Sequence, residues 1–100
     1  MLERLTPTDI DAIADGRVRY SLFLNDQGGV LDDLMIARHG NQLQLVVNAG
    51  RADHDIGLLR ASLDESVTME VRTDLALLAL QGPSAAAVLQ RLGADLDGFV

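Results

Sequence analysis

Two adjacent aspartates, Asp32 and Asp33, follow the glycine pair Gly28-Gly29 in the stretch Asn25-Asp26-Gln27-Gly28-Gly29-Val30-Leu31-Asp32-Asp33. A carboxylate accepts a proton or a hydrogen bond from an amine and favours positive charge that develops on nitrogen. Successive strand residues face opposite sides, so Asp32 projects with Leu34 and Ile36, and Asp33 with Met35 and Ala37. Parity makes the two acids different without saying which one does chemistry. The plainer reading is a solvated acidic start to a strand, since most acids are simply exposed. Tyr20 is equally readable as a half-buried strand tyrosine whose hydroxyl finds a partner. Asn48 stands just before a helix with an acidic first turn, the place of an N-cap.

Other chemistries are closed off. With no cysteine in the sequence, a disulfide scaffold, a thiolate metal site and a cysteine nucleophile are excluded. His39 and His54 are too far apart for a local metal pair, and no metal is expected. Gly28 and Gly29 are expected to supply positive φ in a turn, because no P-loop or dinucleotide spacing surrounds them. Arg38, His39 and His54 are read as surface residues. A net charge of −7 repels a nucleic-acid backbone and an anionic membrane surface. No apolar run approaches the roughly 20 residues that span a bilayer. The opening Met1-Leu2-Glu3-Arg4-Leu5-Thr6-Pro7 has neither signal nor transit character, and a soluble protein of a reducing compartment is expected.

The elements that must position these residues read as follows. Thr6 to Asp15 carries a helix-start signal at Thr6-Pro7 and one short apolar face, Ile10, Ile13 and Ala14, with Gly16 as its stop. Strands are expected near 18–25, 32–38 and 43–48, joined by Asn25–Gly29 and Gly40-Asn41 turns into an antiparallel meander. On the first, Tyr20, Leu22 and Leu24 share one side, and Ser21 and Phe23 the other. A helix near 50–63 places Ala52, Ile56, Leu59 and Leu63 on one face, with Asp53 and Asp55 in the first turn where the dipole favours acids. Val67, Met69 and Val71 alternate as an inward-facing strand near 66–72. Leu75 to Leu80 reads as a central strand near 75–81 buried on both faces. A second helix follows near 83–92, stopped by Gly93. The expectation is a single α+β domain over residues 1–100, with an antiparallel sheet of about five strands (βββαββα) and helices packed on it. The apolar close at Phe99-Val100 suggests a chain that continues in a larger protein.

Three stretches carry a resemblance. Arg19-Tyr20-Ser21-Leu22-Phe23-Leu24-Asn25-Asp26-Gln27-Gly28-Gly29-Val30-Leu31-Asp32-Asp33-Leu34 is similar to a segment in the first domain of glycine cleavage T-proteins, the aminomethyltransferases. Leu45-Val46-Val47-Asn48-Ala49 resembles the next signature, and Leu78-Ala79-Leu80-Gln81-Gly82-Pro83 a third, in order and at matching distances. The match covers essentially the whole chain but a minority of the family's length. The family's upstream Asp-x-Ser-His-Met stretch and its downstream folate contacts have no counterpart here, and Ala37 stands where a larger residue is usual.

The resemblance implies a piece of the enzyme that takes an aminomethyl group from the lipoyl arm of a carrier (H) protein. The one-carbon unit passes to tetrahydrofolate, the co-substrate, with release of ammonia. It implies Asp33 as the catalytic carboxylate against the folate, with Tyr20, Met35 and Asn48 as further folate-binding residues. For Asn48 an amide paired with the pterin edge stands beside the N-cap reading. A bacterial cytoplasmic enzyme is expected, inactive as an isolated fragment and prone to self-association through the face its missing neighbours would cover. Two alternatives remain: the folate-binding domain of a related demethylating oxidase or dehydrogenase, or a non-catalytic interaction domain of the same fold. Asp32-Asp33 argues against the related iron–sulfur assembly factor, which tends to lack the pair.

Overall fold

The computed structural model describes residues 1–96. The chain divides into two compact units, Met1–Met69 and Glu70–Val100. The apolar close at residues 97–100 lies outside the described residues.

The first unit is built on a meander of β1 (Val18–Leu24), β2 (Val30–His39) and β3 (Gln42–Val47), antiparallel and in the order β1-β2-β3. Tyr20 stands opposite Met35, Leu22 opposite Asp33 and Phe23 opposite Asp32, and the register shifts between Phe23 and Leu24 as the strand enters the turn. Leu34 stands opposite Val47 and Ile36 opposite Leu45. One face therefore carries Ser21, Phe23, Asp32, Leu34, Ile36, Leu45 and Val47. Phe23, Leu34 and Ile36 are buried there, and with Leu2, Ile10, Ile13 and Leu59 they form the core.

The β1–β2 turn is organised by one side chain. Asn25 Oδ1 accepts from Gln27 N–H at 3.0 Å and from Gly29 N–H at 2.7 Å, an Asx turn. Gly28 takes a φ of +78°, as expected of it. Gly29 does not adopt positive φ. It is small for a different reason: a Cβ there would stand 2.8 Å from Asn25 Nδ2.

After β3 the chain makes a single 3-10 turn, Ala49–Arg51, and enters α1 (Ala52–Ser62). α1 covers the buried face of the sheet through Leu59 and the half-buried Leu58. Its buried residues are Asp55 and Leu59, so the inward stripe is centred differently from the expected Ala52, Ile56, Leu59 and Leu63.

The expected helix over Thr6–Asp15 is absent; the 3-10 turn at Leu2–Arg4 precedes a run of turns. Side-chain acceptors take the backbone donors that a helix would use: Glu3 Oε1 accepts from Ile10 N–H and Asp9 Oδ1 from Ala12 N–H. Ile10 and Ile13 are nevertheless buried. Arg38 is not a surface residue of the kind expected. Its guanidinium donates to Ile10 O at 2.8 Å and its side chain is only 22% exposed, which ties the N-terminal segment to the end of β2.

The five-strand expectation is corrected to three strands among the described residues. Residues 66–72 and 75–81 form no ladder. Apolar alternation says that a segment suits a sheet, but a strand exists only when a neighbour takes its N–H and C=O groups. Met69 does pack on the core of the first unit, while Val67 is exposed. In the second unit Leu77 and Leu78 are 70% and 88% exposed, the reverse of a strand buried on both faces. That unit holds α2 (Ala85–Arg91), closed by Gly93 at a φ of +84°, and an Arg72–Asp74 ion pair. Within the first unit, α1 packs on the sheet.

Candidate functional site

Asp33 lies on the sheet face opposite the core, with Tyr20, Leu22, Met35 and Ala37 as same-face neighbours. Tyr20 is 67% exposed and Met35 38%, so this face is open along the β1–β2 ladder. The Asp33 carboxylate is held at both oxygens. Tyr20 Oη donates to Oδ2 at 2.8 Å, and Asn48 Nδ2 donates to Oδ1 at 2.6 Å. Charge-assisted bonds of this kind are short, and two from opposite sides set the carboxylate's plane before any ligand arrives. Each carboxylate oxygen has two acceptor sites, so capacity remains for a donor approaching from solvent.

Asn48 follows β3 directly and reaches back over β2. Besides Asp33 Oδ1, its amide contacts Asp32 Oδ1 at 3.0 Å and Asp33 O at 3.3 Å. It occupies the N-cap position of the 3-10 turn but makes no side-chain capping bond. The aspartates take its amide, and the capping reading is withdrawn.

Asp32 points to the opposite side, toward α1. Its Oδ1 accepts from Asp33 N–H at 2.9 Å as well as from Asn48. The Asp33 N–H, with help from the Asn48 amide, holds the Asp32 carboxyl below the ordinary aspartate range against the opposing effect of burial; Asp55 and the Arg51 guanidinium act in the same downward direction. Tyr20 shifts the other way. Its hydrogen bond to Asp33 raises it above the ordinary value of 10.0, and burial and the nearby charges of Asp33 and Asp32 add to that. The phenol is thus kept as the donor. Among the described residues no group of three or more His, Cys, Asp or Glu side chains is arranged to hold a metal ion.

The GCVT N-terminal domain family model matches residues 1–99. The chain belongs to that family. Among curated relatives it is 42% identical over 101 residues to the aminomethyltransferase of Chlorobium chlorochromatii, which covers 97% of this chain and 28% of that protein. It is 41% identical over 98 residues to the aminomethyltransferase of Geobacillus thermodenitrificans, 96% of this chain and 27% of that protein. With the mitochondrial aminomethyltransferase of Dictyostelium discoideum it shares 37% over 103 residues, 95% of this chain and 26% of that protein. The chain thus spans little more than a quarter of the length of these relatives. No solved structure matches it with significance.

Within this GCVT N-terminal domain segment, Tyr20, Asp33 and Asn48, drawn from β1, β2 and the end of β3, meet at one point. Met35 shares their face one register step away. The residue that sequence reasoning missed is Asp55. Read as an acid favoured by the helix dipole, it is instead fully buried beneath Asp32. A signal was present: Asp55 precedes Leu58 and Leu59 by three and four residues and so shares their inward stripe.

Proposed function

We propose that this chain supplies the folate-facing sheet of an aminomethyltransferase of the glycine cleavage kind. In that reading a lipoyl-bound aminomethyl group on a carrier protein passes its one-carbon unit to tetrahydrofolate, and ammonia leaves. The observation that carries it is the Asp33 carboxylate, fixed at both oxygens by Tyr20 and Asn48 on an open sheet face. A carboxylate so oriented accepts a hydrogen bond or proton from a folate amine nitrogen. It also stabilises the positive charge that forms there as the carbon is transferred, without reorganising in the step. Tyr20 and Asn48 orient; they do not transfer protons. Met35 offers a polarisable thioether to the flat face of a pterin ring on the same side. The family membership and the aminomethyltransferase names of the relatives support this assignment.

The test is a chimera in which this chain replaces the corresponding segment of the Geobacillus thermodenitrificans aminomethyltransferase. Ammonia release is followed with tetrahydrofolate and aminomethyl-loaded carrier protein. Asp33→Asn is expected to lower turnover by at least about two orders of magnitude, the scale of a lost positioned acid–base group. Asp32→Asn, which faces away from the open sheet, is expected to do less. The opposite ranking would assign the chemistry to the wrong aspartate, and no effect from either would remove the site from the reaction.

A further inference from the structure

Asp55 has no solvent exposure, and it is the one carboxylic residue among the described residues in the buried core region. Its Oδ1 meets His54 Nδ1 at 3.1 Å. Its Oδ2 is buried with no donor, and the same is true of Asp32 Oδ2. Each carboxyl group acts on the titration of the other, which places Asp55 of α1 beside Asp32 of β2. Two ionised carboxylates offer each other only acceptors, and both buried oxygens would then stay unsatisfied between two negative charges. One proton between them satisfies both atoms at once.

The surroundings place that proton. Asp32 already has two donors on its other oxygen, from Asp33 N–H and Asn48, which favour its ionised form. Burial pushes Asp55 up; the His54 contact opposes this, and Asp32, by hydrogen bond and by charge, adds to it. The charged or titratable groups that meet the pair are His54 on α1, Arg51 in the turn before it, and Asp33 beside Asp32 on β2.

We propose that Asp55 holds the shared proton and donates it to the buried, unpartnered oxygen of Asp32, which makes Asp55 a positioning residue for Asp33. The chain of contacts runs from Asp55 to Asp32, then through Asn48 and the Asp33 N–H to the Asp33 carboxylate. Ionising Asp55 sets two like charges against each other inside the unit, turns Asp32 away and frees Asn48 from its shared position. The proposal rests on the reading of Asp33 as the folate-contacting carboxylate, although the place of the proton does not.

The first experiment is a carbon-detected NMR titration of the aspartate side-chain carboxyls in the 100-residue chain. Asp55 is expected to keep its protonated chemical shift to higher pH than the exposed aspartates, and to titrate lower in Asp32→Asn, where the neighbouring charge is gone. Titration of Asp55 together with the exposed aspartates, near the ordinary value of about 3.9, overturns the proposal. The second arm measures turnover in the chimera. Asp55→Ala should lose up to about a hundredfold in kcat, the scale of a misplaced catalytic group. Asp55→Asn, whose amide can donate to Asp32 from the same place, should recover most of that loss and shed the fall in rate that follows Asp55 ionisation as pH rises. Equal losses in the two variants, or none in Asp55→Ala, overturn the positioning role. Should Asp55→Ala fail to fold, the titration and the pH profile of Asp55→Asn decide. If Asp33→Asn also leaves turnover intact, the functional reading fails, while the titration still settles where the proton lies.

Discussion

Tyr20 and Asp33 are joined by a 2.8 Å hydrogen bond that crosses diagonally over the open face of the β1–β2 ladder, where Tyr20 stands opposite Met35 and Asp33 opposite Leu22. The contact exists only in this register. A slip of one residue would turn Asp33 to the core side and bring Asp32 to the open face.

The sequence contains one tyrosine, so an ultraviolet titration of tyrosinate reads Tyr20 alone. Its midpoint is expected above the ordinary 10.0, because the phenol donates to Asp33. Asp33→Asn should bring it back toward that value. A group raised in the fold contributes stability that is complete below its ordinary value and lost as pH rises through the folded one. A wild-type midpoint at or below the ordinary value would break the link between the two residues.

Asp55 and Asp32 give stability opposite slopes with pH. Asp55 is raised in the fold, so its contribution is full below the ordinary aspartate value and declines as pH rises through its folded value. Asp32 is lowered, so its contribution is present above the ordinary value and disappears as pH falls through its folded value. Thermal melts from about pH 3 to about pH 9 should show Asp55→Asn flattening the decline on rising pH and Asp32→Asn flattening the one on falling pH. Unchanged slopes in both variants would refute the assignment.

Phe23 is completely buried opposite Asp32, and Phe23→Ala should cost about 3–5 kcal/mol by denaturant unfolding, the range for emptying a core aromatic site. Val18, in the same strand but 56% exposed, should change stability by less than about 0.5 kcal/mol on replacement by alanine. Comparable losses at the two positions would mean that the sheet's covered face has been assigned incorrectly.

The 100-residue chain by itself should bind tetrahydrofolate more weakly than micromolar and should release no ammonia from loaded carrier protein. A small-molecule site buries most of its ligand in a concavity, whereas Tyr20 and Met35 lie on an open face. The segment also spans little more than a quarter of the relatives it matches. Calorimetric titration beside the ammonia assay checks this, and micromolar binding with turnover would show that the sheet is a complete site.

Much of the site was legible because its signals are local. The Asn25–Gly29 cluster reads as a turn from residue types alone, and in the structure Asn25 supplies the acceptor that closes it. Period two gave the side of each strand that Tyr20 and Asp33 share with their own neighbours, and the register that joins the two sides came from the structure. Asn48 was half legible: its position before a helix turn is local, but the acceptors that claim its amide come from a strand 15 and 16 residues away.

What the sequence by itself determined is the meander, the two helices after it and the opposite parity of Asp32 and Asp33, because these follow from turn chemistry and side-chain periodicity within a few residues. It also excluded thiol chemistry outright. Tertiary structure alone decided which phase of each pattern is covered. It turned Asp55 inward beneath Asp32 and drew the Arg38 guanidinium onto Ile10 O. It also left Leu77 and Leu78 without a ladder. Periodicity fixes the relation of side chains to their own backbone; burial, hydrogen-bond partners and strand pairing depend on what another part of the chain brings against them.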